Sequence, residues 1–302
     1  MTHIGDTGNN GGRAQKSHHL VDSVSGLSIA QALSLSSQLA SDTARLDVEC
    51  LLCHIIECNA TYLRTWPEKQ LSLEQISLFQ SLFTRRQAGE PIAHLCGTRA
   101  FWTLNLKVSP ATLIPRPDTE ILVETILDLA LPSQADILDL GTGTGAIALA
   151  LASERPAWQV TATDFLPEVV ALAKENAQMH QLENVTIILS DWFESLDAQR
   201  FDLIVSNPPY IDPEDRHLNE GDVRFEPRTA LTAENQGLAD LTLIIQQAPA
   251  YLKPQGWLVL EHGYDQAAAV KNLFRQNAYY CIETKQDYGQ QDRMTMAQYT
   301  GR

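Results

Sequence analysis

Apolar positions along the chain follow two different periods. From about residue 27 to 95 they recur at helical spacing, most clearly in "DTARLDVECLLCHIIE", where Val48, Leu51, Leu52, Ile55 and Ile56 form one stripe. Ser72 followed by Gln75 makes a capping box ahead of "LEQISLFQSLFTRRQA", and Gly89 with Pro91 closes that helix. In "FWTLNLKVS" the period drops to two, with Leu104, Leu106 and Val108 alternating with polar residues as in a short hairpin.

From about residue 113 short apolar runs alternate with helical segments. "ADILDL", "QVTATD", "VTIILSD", "FDLIVSN" and "GWLVLEHG" read as strands, with "AIALALASER" and "PEVVALAKENAQMH" as helices between them. "YYCIETKQDY" and "RMTMAQY" suit a terminal antiparallel hairpin. Such alternation predicts an α/β fold, a mainly parallel sheet with helices on both faces. Ligands of these sheets bind beyond the carboxyl ends of the strands. That rim would carry Gly141–Gly145, Asp164, Asp191 and Asn207. Residues 1–24 show no periodicity and are expected to be a flexible tail. The predicted organisation is thus a tail (1–24), a helical domain (25–96), a hairpin linker (97–112) and a larger α/β domain (113–302).

Composition narrows the class. With 44% hydrophobic and 20% charged residues over 302 positions, the chain is expected to be a soluble globular protein. No run approaches a membrane span and the N-terminus lacks the apolar core of a signal peptide, so a cytoplasmic location is expected. The five cysteines are Cys50, Cys53, Cys58, Cys96 and Cys281, an odd number that argues against a disulfide framework. Cys50, Cys53, His54 and Cys58 crowd one helical segment in the wrong geometry for zinc, and no metal is expected. The net charge of −15 lies entirely in residues 113–302, with 28 acids against 13 bases, whereas residues 25–112 hold seven of each. That sign counts against a nucleic-acid backbone as partner.

Candidate chemistry begins at "DLGTGTG", Asp139 to Gly145. A glycine turn between strand and helix lets a ligand approach the backbone beside the positive end of the helix. The spacing is neither the dinucleotide fingerprint nor a P-loop. Asp164 follows Gly141 by 23 residues, at the end of the second strand. A carboxylate there can accept from both hydroxyls of a ribose, or cap the helix that starts at Pro167; the two roles are compatible. Asp191 and Trp192 end the third strand, where an adenine would meet an acceptor and an aromatic wall, or where Trp192 simply packs in the core.

Asn207-Pro208-Pro209-Tyr210 is the strongest signal. An amide or aromatic amino nitrogen is a poor nucleophile because its lone pair is delocalised. With an activated methyl donor, catalysis reduces to alignment and support of developing charge. The Asn207 side-chain oxygen and the Pro208 carbonyl can each accept one N–H of a target NH2. The prolines stiffen the turn and offer no competing N–H, and Tyr210 can stack on the planar group. Glutamine and nucleobases both present such a group.

The glycine turn, Asp164 and Asp191 resemble successive cofactor motifs of class I methyltransferases. Over residues 25 to 302 the chain resembles the bacterial peptide chain release factor glutamine N5-methyltransferase family. The matching segments are "RRQAGEPIAHLCG", "FWTLNLKVSPATLIPRPDTE", "ILDLGTGTGAIALALASERP", "SDWF", "IVSNPPYID", "GDVRFEP" and "LEHG". The resemblance implies a Rossmann-like domain with a seven-stranded sheet, S-adenosylmethionine as cofactor and S-adenosylhomocysteine as product. It further implies methylation of the glutamine in the Gly-Gly-Gln motif of class I release factors. Cofactor-binding residues would be Gly141, Thr142, Gly143, Thr144, Gly145, Asp164, Asp191, Trp192 and Asn207. Substrate would meet Asn207, Pro208, Pro209 and Tyr210, with Asn207, Pro208 and Tyr210 serving the transfer. The tail has no counterpart in the family.

Three alternatives stay open at this point: a nucleic-acid amino-methyltransferase for adenine N6 or guanine N2, a dinucleotide oxidoreductase, and a non-catalytic binding module. The long polar connection "DPEDRHLNEGDVRFEPRTALTAENQG" is expected to help form the substrate mouth. Arg224 and Glu226 are its candidate contacts, and Arg116 is expected to shape the entrance or cap the next helix.

Overall fold

Two serines set the starts of N-terminal helices in the computed structural model, which describes residues 26–301. Ser28 and Ser72 accept the backbone N–H of Gln31 and Gln75, whose side chains return a bond to the serine N–H. Each reciprocal pair satisfies N–H groups that a helix start otherwise leaves open. The helices of this half are Ile29–Ser34, Ala44–Ile56, Ala60–Thr65, Leu73–Gln87 and Ile92–Cys96. The apolar faces of the first four meet around Ile29, Val48, Leu52, Leu63, Phe79 and Phe83, and Leu95 of the fifth packs with Leu51 and Leu82. Cys53 and Cys58 pack against the first of these clusters. The predicted tail, residues 1–24, lies outside the described residues.

An antiparallel hairpin lies within residues 97–112. Strand β1 is Thr98–Phe101 and β2 is Leu104–Lys107, paired antiparallel, with Trp102 in a left-handed turn conformation (φ 54°). The segment "TRAF" alternates too weakly to announce a strand. Nor is the hairpin merely a connector, because Phe101, Leu104 and Leu106 belong to the core of the large sheet. The fully buried Asn176 clips it there. Its side chain accepts the Lys107 N–H (2.8 Å) and donates to the carbonyls of Lys107 (3.0 Å) and Thr144 (2.9 Å).

The large sheet consists of β3 (Asp136–Leu140), β4 (Gln159–Asp164), β5 (Val185–Leu189), β6 (Phe201–Ser206), β7 (Leu252–Glu261), β8 (Tyr279–Gln286) and β9 (Asp292–Tyr299). Their order is β5-β4-β3-β6-β7-β9-β8. The first five in that order are parallel, and β9 runs antiparallel to both β7 and β8. The expected terminal hairpin is therefore present. Alternate residues of each central strand serve opposite cores. Ile137, Val160 and Leu203 pack with helices Glu120–Asp128, Ala146–Glu154 and Pro167–Met179. Leu138, Leu140 and Ile204 pack with Ala239–Gln247 and Ala267–Gln276 on the other face. Burial on both faces explains why these strands read as apolar runs rather than alternating ones.

Each fully buried Leu or Ile in this sheet contributes about 1.5–3 kcal/mol, and a one-residue slip would exchange the two faces. The strand ends that carry the candidate residues are thus firmly fixed. Successive crossovers leave β3 in opposite directions, toward β4 and toward β6, which opens a crevice at their carboxyl ends. Among the described residues no helix is long and apolar enough to cross a membrane.

Candidate active site

β3 ends at Leu140 and the chain turns through Gly141–Gly145 into the helix Ala146–Glu154. Thr142 N–H donates to the Thr163 carbonyl at 2.8 Å, which ties the turn to the end of β4. Beneath it sits Asp139, 1% exposed, whose Oδ2 accepts from Thr142 Oγ1 (2.7 Å) and Ala148 N (3.2 Å). Burial pushes this carboxyl up to about 7, against the pull of those two donors. Asp139 braces the turn from below, a role its place in the motif did not disclose.

Asp164 borders the crevice and closes it from the β4 side. Its Oδ2 accepts from Gly143 N (3.1 Å) and its Oδ1 from Leu166 N (3.2 Å). Desolvation raises its pKa, while the N–H groups of Leu166, Gly143 and Phe165 oppose the rise. The N-cap of the helix Pro167–Met179 is Leu166 rather than Asp164. The carboxylate therefore stitches the loop before that helix to the glycine turn instead of capping the helix.

A cavity of about 450 Å³ opens between these groups. Gly141, Thr142, Gly143, Thr144, Asp164, Asp191, Trp192, Asn207 and Pro209 all line it, so the rim drawn from the sequence is largely one surface. Gly145 is the exception among the turn residues. It faces away from the cavity, and a Cβ there would meet Leu149 Cδ1 at 2.9 Å. Its bareness serves helix packing. The Trp192 ring lies over Gly141, 3.5 Å from where a Cβ would stand. Trp192 has a left-handed backbone (φ 44°), held by Ser190 Oγ, which donates to the Trp192 carbonyl at 2.9 Å and accepts Ser195 N at 3.0 Å. Walls that the sequence did not announce are Phe101 from the hairpin, Thr119, Phe165, Leu166 and Asp240. Asp240 carries a raised pKa, from burial first and from the Asp191 charge second. An aromatic wall, a rim carboxylate and an exposed glycine turn in a cavity of this size can hold a nucleoside with a polar tail.

At the end of β6, Ser206 Oγ donates to the Leu140 carbonyl (2.7 Å) and fixes where Asn207 emerges. Asn207 borders both this cavity and a smaller adjoining one of about 150 Å³, whose walls include Arg116, Pro208, Tyr210 and Glu261. The four residues of the motif therefore do not share one surface. Pro209 lines only the larger cavity, and Pro208 and Tyr210 only the smaller. Tyr210 donates its hydroxyl to Glu261 Oε1 (3.0 Å), and burial pushes its phenol pKa upward. Its carbonyl accepts Gln266 Nε2 at 2.9 Å. Gly237 (φ +78°) passes so near that a Cβ would stand 1.9 Å from the same carbonyl oxygen. Only glycine permits this approach.

The long connection lines both cavities, as expected of a substrate mouth, with Thr229, Ala230 and Thr232 on the larger and Val223, Ala230 and Leu231 on the smaller, and it is anchored as well. Arg224 donates to the Ala88 carbonyl at 3.0 Å and Asp222 pairs with Arg86 at 3.2 Å. Its middle thus docks on the N-terminal helices. Glu226 is no open substrate contact: it is buried and paired with Arg116. Desolvation raises its pKa and the guanidinium opposes that. Arg116 lines both cavities and also stands at the N-cap of the short helical turn Pro117–Thr119, where its carbonyl, not its side chain, accepts the Thr119 N–H at 3.2 Å, so the two expected roles coexist.

Residues 131–301 match the sequence family described as "Methyltransferase domain", and residues 29–97 match "PrmC N-terminal domain". The release factor glutamine methyltransferase of Shewanella oneidensis is 54% identical over 276 residues, covering 90% of this chain and 96% of the relative. That of Escherichia coli is 52% identical over 266 residues, 88% of this chain and 96% of the relative. That of Pseudomonas aeruginosa is 52% identical over 259 residues, 86% and 94% respectively. Among solved structures, the human Mettl16 catalytic domain in complex with an RNA hairpin superposes with a TM-score of 0.55 at 18% identity, covering 66% of this chain and 75% of that one. A methyltransferase from Pyrococcus furiosus gives 0.51 at 18% identity, covering 74% and 98%. These two likenesses concern the fold alone.

Proposed function

The chain belongs to the release factor glutamine methyltransferase family, and from that premise we propose that it transfers a methyl group from S-adenosylmethionine to the side-chain amide nitrogen of the glutamine in the Gly-Gly-Gln motif of class I release factors. The observation that carries this reading is the pair of cavities that meet at Asn207. One has the walls for a nucleoside, and the other is the size of a side chain. When bound, S-adenosylmethionine supplies a methyl already activated on its sulfonium.

The chain's own residues do the rest. The Trp192 ring flanks the base, Asp164 accepts from ribose hydroxyls, and the turn Gly141–Thr144 leaves its backbone open to the polar tail. Asn207 Oδ1 and the Pro208 carbonyl accept the two N–H groups of the target amide, which fixes its plane and raises electron density on nitrogen. Tyr210 forms a wall of the smaller cavity and holds the flat group in place. No strong base is required, because the extra proton leaves after transfer.

The helical half (25–96) and the connection docked on it form the side that receives the release factor, with the hairpin (97–112) as a joint to the α/β domain (113–302). A basic protein suits the acidic α/β domain better than a phosphate backbone does. The setting proposed is the cytoplasm, where release factors act.

Labelled S-adenosylmethionine offered with a purified release factor, its Gln-to-Ala variant and DNA tests the reading. Label on the wild-type factor alone is expected. Label on DNA, or equal label on the variant, would refute it.

A further inference from the structure

Two segments that take no part in holding the cofactor meet each other across the fold. "RRQAGEP" closes the helix Leu73–Gln87, and "GDVRFEP" lies in the middle of the long connection. Arg86 Nη1 donates to Asp222 Oδ1 at 3.2 Å, and Arg224 Nη2 donates to the Ala88 carbonyl at 3.0 Å. Arg86 is itself fixed, because its Nε donates to the buried Asp47 at 2.9 Å and its Nη1 also to the Glu90 carbonyl at 3.0 Å. Gly89 completes the seat. Its backbone is left-handed (φ +96°), and a Cβ there would stand 1.8 Å from Arg224 Nη2 and 3.5 Å from the Phe225 ring. Both the conformation and the close approach call for glycine.

Val223 stands between the two anchored residues and lines the smaller cavity, whereas Asp222 and Arg224 line neither cavity. The turn around it is tight: Phe225 N–H donates to the Asp222 carbonyl and Glu226 N–H to the Val223 carbonyl, both at 3.0 Å. One wall of the smaller cavity is therefore fastened on each side to the helical half. The other walls from this connection, Ala230 and Leu231, are held differently. Ile211 N–H donates to the Leu231 carbonyl at 2.9 Å and Ala233 N–H to the Ile211 carbonyl at 3.0 Å, which ties them to the exit of the motif turn. Asp222 is half-exposed, and an ion pair of that kind adds little to global stability. What it does fix is where the next residue lies.

We propose that Asp222 and Arg224 are positioning residues for the transfer: seated on Arg86, Ala88 and Gly89 of the helical half, they hold Val223 as a wall against which the target side chain packs. The helical half thereby shapes the pocket for the target, and not only the surface that receives the release factor. The inference rests on the smaller cavity being the one that takes the target glutamine.

Variants of the full chain test it, with kcat/KM for the release factor, Kd for S-adenosylhomocysteine and Tm measured on each. Asp222→Asn and Arg224→Ala are each expected to lower kcat/KM by a factor of about 10, with Kd within about twofold and Tm within about 3 °C of wild type. Val223→Ala removes the wall itself and is expected to lower kcat/KM at least as far. Because the two residues act through Val223, adding Asp222→Asn or Arg224→Ala to Val223→Ala is expected to cost less than about a further twofold. The inference is overturned if either single variant keeps kcat/KM within about twofold of wild type, or if Kd rises in step with the loss. It is equally overturned if the losses multiply in the double variants, the result expected of side chains that touch the release factor themselves. A wild-type enzyme that moves no label to the release factor defeats the functional reading itself, a different result from an active enzyme indifferent to Asp222 and Arg224.

Discussion

Replacing Asp164 with asparagine is expected to weaken S-adenosylmethionine binding while leaving the fold in place. The carboxylate offers about four lone-pair directions. Gly143 N and Leu166 N take one on each oxygen, at 3.1 and 3.2 Å. Capacity remains on each oxygen for a ribose hydroxyl. Asparagine keeps one accepting oxygen and turns an NH2 toward either a backbone N–H or a ligand hydroxyl, so one charge-assisted bond is lost. Such bonds contribute about 1.5–3 kcal/mol, which corresponds to a rise in Kd of roughly 10- to 150-fold. Titration calorimetry of the purified protein measures this directly, and thermal unfolding without ligand reports the loss of the loop stitch separately. A Kd within about twofold of wild type, with a well-folded variant, would refute the assignment of Asp164 to the ribose.

Asn207→Ala is expected to reduce methyl transfer by a factor on the order of 100 or more, with cofactor affinity nearly unchanged; lost cofactor binding would remove Asn207 from the acceptor role. Arg116→Ala leaves the Glu226 carboxylate buried without its partner, which costs about 3–5 kcal/mol by urea unfolding. That penalty should shrink as pH falls and the carboxyl takes up a proton, and a pH-independent loss would contradict it. Gly237→Ala drives a Cβ to 1.9 Å from the Tyr210 carbonyl, so both stability and kcat should fall, and a crystal structure should show the turn displaced.

Much of this was legible along the chain because it is local. The capping boxes at Ser28 and Ser72 are four-residue Ser-x-x-Gln patterns. Strand and helix periods gave the α/β alternation, and side-chain type at strand ends gave the rim. The Asn-Pro-Pro-Tyr tetrapeptide carries its chemistry in its own atoms: an acceptor amide, a carbonyl held by fixed φ, and a ring. Those features need only neighbours in sequence, and the sequence therefore determined them.

The tertiary structure decided what depends on distant partners. Thr119 and Asn207 are 88 residues apart and Tyr210 and Glu261 are 51 apart, yet each pair is joined by a hydrogen bond. Nothing in the periodicity of either segment signals that meeting. Glu226 looked like an open contact in a polar loop, until folding placed it under Arg116, 110 residues away. Gly145 reads as part of the glycine turn, but only the fold shows that a Cβ there would stand 2.9 Å from Leu149 Cδ1. The split of Asn207–Tyr210 between two cavities is of the same kind. Sequence fixes which groups can donate, accept or stack. Which of those capacities remain free for a ligand is known only once the partners that consume the others have been brought together.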